Sequence, residues 1–354
     1  MDDLQLLREM RSDIGSAPPA TLTRGRNKLM SKISSNSRPE ATTITHTPAN
    51  VSPIRFRRRV LFASAAAALL VGGIVVADVV RPSGPGATAE AAEILNNAAA
   101  ATIRTADPVV GPGQYLKIDT TAVYAGGVAL GDPGKGGRSV EWLDKSSDQL
   151  YVPADHAAEW IWNREARIPT TFFSEEAKAE ATKYQQSQTD DPLRTGELLR
   201  ASGGNFYGEQ RLLFAGLPLE EGLKNLPRDP QALLDAIRQR GKQGRPEAET
   251  LESIAEALKT GVVPADLRAA LYKAAALIPG VTVVDRQANL DGKVGTAIGI
   301  EHPNRATRTD IIIDPATGLL IGERVVTLTP GETFPAGTAT AWTSVQTSVV
   351  NSAP

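Results

Sequence analysis

The chain has 354 residues, no cysteine and a net charge of −2, which excludes disulfides, thiolate zinc sites, thiol nucleophiles and lipid attachment to cysteine. The near-neutral total hides an asymmetry, because residues 1–59 carry +6 and the rest of the chain −8. A basic arm of this kind suits an anionic lipid surface; with no base-reading motif or aromatic stacking platform, no nucleic-acid partner is expected.

From Asp2 to Ile14 the residues Leu4, Leu7, Met10 and Ile14 recur at helical spacing, with acids at the start and arginines later, as the helix dipole favours. Ala17-Pro18-Pro19 breaks this helix, and a weaker one follows to Ile33 with Leu22, Leu29 and Met30 on one side. Neither helix alone buries enough apolar surface to offset its ordering entropy, so this arm (residues 1–33) requires a partner. Residues 34–54 are rich in Ser, Thr and Pro and read as a linker.

Arg55-Phe56-Arg57-Arg58-Arg59 then precedes Val60–Ala77, eighteen residues without a charge. At 1.5 Å per residue, about 18 apolar residues just cross a ~30 Å hydrocarbon layer, where only a helix satisfies the backbone. The arginines keep the N-terminal side cytoplasmic. Ala87-Thr88-Ala89 fits a small-x-small cleavage site, but it lies far from the apolar run and 59 residues precede that run, so an uncleaved anchor is expected. The predicted organisation is a cytoplasmic arm, a linker, a basic flank with one transmembrane helix (55–81), a spacer (82–88) and an extracytoplasmic domain (89–354).

That domain opens with a helix-forming stretch, Ala89 to Ile103. Tyr115–Tyr124 reads as a strand and the glycine-rich Gly126–Gly137 as a loop. Ser139–Leu143 and Gln149–Val152 read as a hairpin turning at Asp144–Asp148, and Glu159–Asn163 as a strand with Trp160 and Trp162 on one side. Ser174 is placed to cap a helix, and helix is also expected near Leu193–Ala201. Asp229-Pro230, Glu247 and Pro264 open three further amphipathic helices. The last 75 residues read as β, with a tight turn at Asp314–Gly318 between Thr309–Ile313 and Leu319–Leu328, and a last strand over Thr338–Val350. The fold class expected is α+β: a curved antiparallel sheet covered on one face by helices.

Chemistry is sparse. His46, His156 and His302 are isolated from one another, and no nucleophile elbow, phosphate loop or dinucleotide fingerprint is present. The Gly126–Gly137 glycines do not join a strand to a helix N-terminus. Glu175-Glu176 and Glu220-Glu221 are helix-start charges rather than carboxylates facing across a cleft. No enzyme activity, cofactor or metal is expected. Trp142, Trp160, Trp162, Phe172 and Phe173 cluster in a chain otherwise poor in aromatics, which suggests either sheet core or an apolar groove for a lipid, peptide or partner segment.

Several segments together carry a resemblance: DDLQLLREMRSD, RFRRRVLFASAAAALL, AAEILNNAA, PGQYLKI, SVEWLDKS, DPQALLDAIR, PADLRAALYKAAALIPGV, DIIIDPATGLLIGERVV and PAGTATAWTSV. The chain resembles a family of actinobacterial single-pass membrane proteins of uncharacterised activity, commonly encoded beside extracytoplasmic-function sigma factors. The resemblance implies an anti-sigma-like regulator, with a sigma factor held through Leu4, Leu7, Met10, Leu22 and Leu29 and an outer domain that senses an unknown ligand or protein. More distantly, the outer domain is similar to periplasmic sigma-regulator and lipoprotein-carrier domains, which implies the alternative of a carrier module for lipid or peptide. The chain lacks the His-x-x-x-Cys-x-x-Cys pattern of zinc-binding anti-sigma factors.

Overall fold

The computed structural model describes residues 86–131, 137–214, 216–240, 246–302 and 304–354. The arm, the linker and the apolar run Val60–Ala77 lie outside these residues, and no described helix is long and apolar enough to cross a membrane.

Helix α1 (Ala89–Arg104) begins where Thr88 Oγ1 accepts a hydrogen bond from the Ala91 N–H at 3.3 Å. Its buried residues are mostly alanine (Ala91, Ala92, Ala98, Ala99) around Leu95, which permits close approach to its neighbours. Strands β1 (Tyr115–Leu130), β2 (Arg138–Pro153), β3 (Glu159–Arg164), β4 (Ile168–Phe172) and β5 (Glu197–Ser202) follow, interrupted by helices α2 (Glu175–Ser187) and α3 (Pro192–Thr195). A two-stranded ribbon, β6 (Leu212–Phe214) and β7 (Leu217–Pro218), leads into helices α4 (Leu219–Asn225), α5 (Pro230–Gln239), α6 (Glu247–Lys259) and α7 (Ala265–Ala275). Strands β8 (Thr282–Leu290), β9 (Lys293–His302), β10 (Thr307–Ile313), β11 (Leu320–Thr327) and β12 (Ala339–Val350) complete the chain.

The large sheet is antiparallel, ordered β5-β3-β2-β1-β12-β11-β10-β9-β8, with β4 paired to the far end of β2. Its early and late strands meet where β1 pairs β12, from Tyr115↔Val350 to Tyr124↔Ala341. The main core lies on one face, where Leu95 of α1, Ile237 of α5, Leu251 and Ile254 of α6 and Leu267 of α7 are fully buried against Ile118, Val152, Ile298 and Ile311 of the sheet. The opposite face carries two smaller clusters, one around Leu290, Ile312 and Ile321, the other around Val123, Leu143 and Phe334. The α+β class with a large antiparallel sheet and helices against one face is therefore as expected.

Three local expectations are corrected. The hairpin expected around Asp144–Asp148 is one continuous strand, β2, which pairs β1 along its whole length. Asp144 is not a turn residue but a buried acid, 1% exposed, held by side-chain partners on the helix-covered face. The expected Gly126–Gly137 loop starts later, because β1 runs on to Leu130. Gly126 is required there for space, since a side chain would collide with Asp144 and Trp142 across the ladder. The helix expected near Leu193–Ala201 is a single turn, after which Gly196 (φ 81°) redirects the chain into β5. There Leu198, Arg200 and Ser202 are exposed and their alternates half-buried, a period of two that overrides helix propensity.

The Asp314–Gly318 turn joining β10 to β11 is self-supporting. Asp314 accepts hydrogen bonds from the Ala316 N–H (2.9 Å) and the Thr317 hydroxyl (2.7 Å). Gly318 has φ 68°, and an added side chain would strike the α1 backbone at Ala98 and Thr102. Gly113 also has a positive φ (77°) but faces nothing within 4 Å. Gly318→Ala is therefore expected to destabilise the fold by a few kcal/mol, roughly 2 or more beyond the loss at Gly113→Ala, because steric conflict adds to the φ penalty. Urea midpoints of the two variants measure this, and equal midpoints would refute the close packing of the turn on α1.

Candidate ligand-binding site

A cavity of about 600 Å³ opens where the helix layer meets one end of the sheet. Its apolar lining comes from Leu116 of β1, Val152 of β2, Val345 of β12, Leu320 of β11, Leu258 of α6 and Val263 of the α6–α7 loop, and polar groups line much of the rest. Ligand pockets commonly enclose about 300–1,000 Å³, so this one has room for a small molecule. The lining is brought together from short segments far apart in sequence, on β1, β2, β11, β12, α6 and the α6–α7 loop.

The rim is polar and fixed. Arg268 on α7 donates to the Thr102 hydroxyl on α1, to the Val263 carbonyl at 2.6 Å and to Asp107 at 2.7 Å. The second Asp107 oxygen accepts the Ala265 N–H at 2.7 Å at the start of α7. One arginine thus binds the segment after α1, the α6–α7 loop and α7 into a single edge, with each of its three nitrogens engaged by the protein. Among the described residues lining the cavity, Lys293 has no hydrogen bond or ion pair, so its ammonium can meet an anionic group. His156 also lines the cavity, 2.9 Å from Glu220 and edge-on to Trp160.

The five aromatic residues singled out in the sequence do not form one groove. Trp142 and Trp160 are fully buried on the helix-covered face. Trp142 donates to Asp144 at 2.7 Å and packs on Tyr184 of α2, while Trp160 donates to the His156 carbonyl at 2.9 Å. Trp162 is half-buried against Phe206, with the guanidinium of Arg164 over its ring at 5.0 Å and that of Arg211 at 6.0 Å. Phe172 is half-buried opposite Trp142 in the β2–β4 ladder, and Phe173 packs on Phe334 on the other face.

What the aromatic residues frame is a charged strip that the sequence reading missed. Trp142, Asp144, Ser146 and Asp148 alternate along β2 and share the helix-covered face. Asp144 is paired with Arg194 at 2.7 Å, both nearly buried. Asp148 has a buried oxygen without a hydrogen bond, although Arg164 and Arg167 lie close enough to attract it. Burial outweighs that attraction and pushes its carboxyl up to about 6.

The two described histidines also acquire partners from far along the chain. His302 is buried, with Nε2 3.0 Å from both Thr309 Oγ1 and Glu252 of α6. Next along that interface Lys259 pairs with Glu323, whose carboxyl is raised by burial. His156 meets Glu220, from one of the two acidic pairs noted in the sequence. Among the described residues no cluster of His, Asp or Glu could hold a metal ion. Leu4, Leu7, Met10, Leu22 and Leu29 lie outside the described residues.

Compared with known proteins, the chain matches no family model, no curated protein and no solved structure.

Asp148 generates a pH test. Its folded-state value of about 6 exceeds the ordinary 3.8, so the native state binds the extra proton and is destabilised as pH rises through that window. Asp148→Asn is expected to be more stable than the parent at pH 8 by on the order of 1–2 kcal/mol, allowing for the water that still reaches the carboxylate. Most of the difference should be lost by about pH 4, where the native carboxyl is protonated and the unfolded one, with its ordinary 3.8, is about half so. Urea titrations at the two pH values measure it, and a gap that does not shrink on acidification would count against a raised Asp148.

Proposed function

We propose that the chain is a membrane-anchored regulatory protein, anti-sigma-like in arrangement, whose domain over residues 86–354 binds an extracytoplasmic ligand as its signal. The cavity of about 600 Å³ supports the binding half: among the described residues it has an apolar patch, a fixed rim and, in Lys293, a cation without a partner. The ligand class that suits it is a small amphiphile, its apolar part against Leu116, Val152, Leu258 and Val345 and an anionic group toward Lys293. The regulatory half rests on the arm with Leu4, Leu7, Met10, Leu22 and Leu29, on the arginine-flanked apolar run, and on the resemblance carried by those segments.

Helix α1 gives the two halves a physical link. It starts at Ala89, shortly after the apolar run, and its other end leads into Thr105–Val110 at the cavity rim. Sixteen residues make a rod of about 24 Å, and this one packs along α7, whose Arg268 ties the rim together. A ligand that binds better to one position of the rim than to another would bias the position of α1. A ligand without that preference would leave α1 where it is.

Capture of the full-length chain from solubilised membranes is expected to recover a sigma factor, and Leu4→Asp/Leu7→Asp to lose it. Recovery of none, with the neighbouring sigma factor retained in the extract, would defeat the regulatory reading. The second reading is a lipid or peptide carrier with no role in transcription, which the same cavity favours. Native mass spectrometry tests the shared element: a co-purifying small molecule is expected, with occupancy reduced at least about tenfold in Leu320→Trp, which fills the cavity. A ligand retained undiminished in that variant would place binding elsewhere.

A further inference from the structure

The face of the sheet opposite the helices carries a second, smaller cavity of about 280 Å³, and its chemistry differs from the first. Two arginines line it, Arg308 of β10 and Arg324 of β11. Both are anchored by one carboxylate. Asp310 is 0% exposed and accepts from Arg308 Nε at 2.6 Å and Nη2 at 3.1 Å, and from Arg324 Nε at 2.8 Å. Asp310 stands directly opposite Arg324 in the ladder, and Arg308 lies two residues along the same face. Strand alternation alone therefore brings the three together.

Asp310 supplies the one buried carboxylate for the two guanidinium groups. The other carboxylate near it is Glu301, opposite Arg308 in the β9–β10 ladder, which is solvent-exposed and screened by water. Asp310 engages Nε of both arginines, and neither Arg308 Nη1 nor Arg324 Nη1 or Nη2 has a hydrogen-bond partner among the described residues. The side chains are 21% and 18% exposed, and both line the open cavity. Holding both guanidiniums in place beforehand removes most of the side-chain entropy that a bound anion would otherwise cost.

We infer that Arg308 and Arg324 form a binding site for a phosphate group. A planar carboxylate is satisfied by one guanidinium fork, whereas a tetrahedral oxyanion can accept from donor edges converging from two side chains. The other lining residues are Val326, Thr327, Leu328, Gly337 and Ala339, which would suit a short apolar or neutral substituent beside the phosphate. The cavity is separate from the one facing the helices, and it stands or falls independently of the regulatory reading.

The test is calorimetric titration of the full-length protein with inorganic phosphate in low-salt buffer, and in a second arm with a soluble short-chain phosphatidic acid. Saturable binding that high salt suppresses is expected. Arg308→Gln and Arg324→Gln should each weaken it about tenfold or more, the loss of one charge-assisted hydrogen-bonded group. Should either arginine variant fail to fold, Ala339→Glu keeps the Asp310 partners and puts a carboxylate at the mouth of the cavity, and it should abolish binding. Phosphatidic acid also suits the first cavity, so in that arm the component read is the one lost in Arg308→Gln, Arg324→Gln and Ala339→Glu, and Lys293→Gln should leave that component unchanged. Binding of inorganic phosphate assigns a soluble phosphate, and binding of the phosphatidic acid alone, lost in the same variants, assigns a lipid headgroup. No saturable binding in either arm, or binding lost in Lys293→Gln and retained in Ala339→Glu, would overturn the inference.

Discussion

The structure depends on one ladder. Tyr115–Tyr124 and Ala341–Val350 pair antiparallel without a register shift, and they come from opposite ends of the described chain. Without that ladder the early strands and the late strands would be two sheets, each exposing one face of a shared core. With it, α1, α5, α6 and α7 have a single apolar surface to cover, and Ile118 of β1, Val152 of β2 and Val345 of β12 enter the same cluster as Leu251 and Leu267. The cavity inherits this dependence, since its walls include Leu116 from one side of the ladder and Val345 from the other. Closing so long a loop costs entropy only logarithmically with length, so a ladder of ten residue pairs backed by a large core holds it readily.

Elements with strong local signals were legible in the sequence. Ser174 and Asp229-Pro230 start helices as capping chemistry dictates, and Asp314-Pro315 with Gly318 makes its turn from its own side chains. Misreadings fell where a distant partner overrides a local signal. Asp144 and Asp148 look like turn residues because they are acids between two apolar runs, yet Arg194, some fifty residues on, makes Asp144 a core residue. Gly126 looks like a loop residue, yet the neighbouring strand's Trp142 and Asp144 need the space that a missing side chain leaves. The site was less legible than the fold for the same reason. Lys293, Arg268 and Asp107 carry no pattern of their own, and only the sheet register and the α1–α7 packing bring them to one rim.

Strand β2 shows how one element can serve two environments. On its helix-covered face Leu150 and Val152 join the apolar core beside the cavity, while Trp142, Asp144, Ser146 and Asp148 run on beneath α2 and α3. The polar half is stable because its charges are compensated unequally. Asp144 has a direct guanidinium partner and an indole donor, whereas Asp148 has attraction without contact. The first arrangement offsets desolvation, and the second leaves a residual penalty that appears as a raised carboxyl.

The same reasoning separates the two arginine settings of the molecule. Arg268 donates to a hydroxyl, a carbonyl and a carboxylate from three different segments, so its charge is spent on holding the rim in shape. Arg308 and Arg324 share a single acid that is wholly buried. An isolated buried carboxylate would be satisfied by one bidentate arginine, as Arg308 already provides through Nε and Nη2. The second guanidinium therefore exceeds what Asp310 alone requires, and it stands with its outer edge to a cavity rather than to another acid. Those oriented guanidinium donors without a partner, and not the ion pair itself, are what the phosphate proposal rests on.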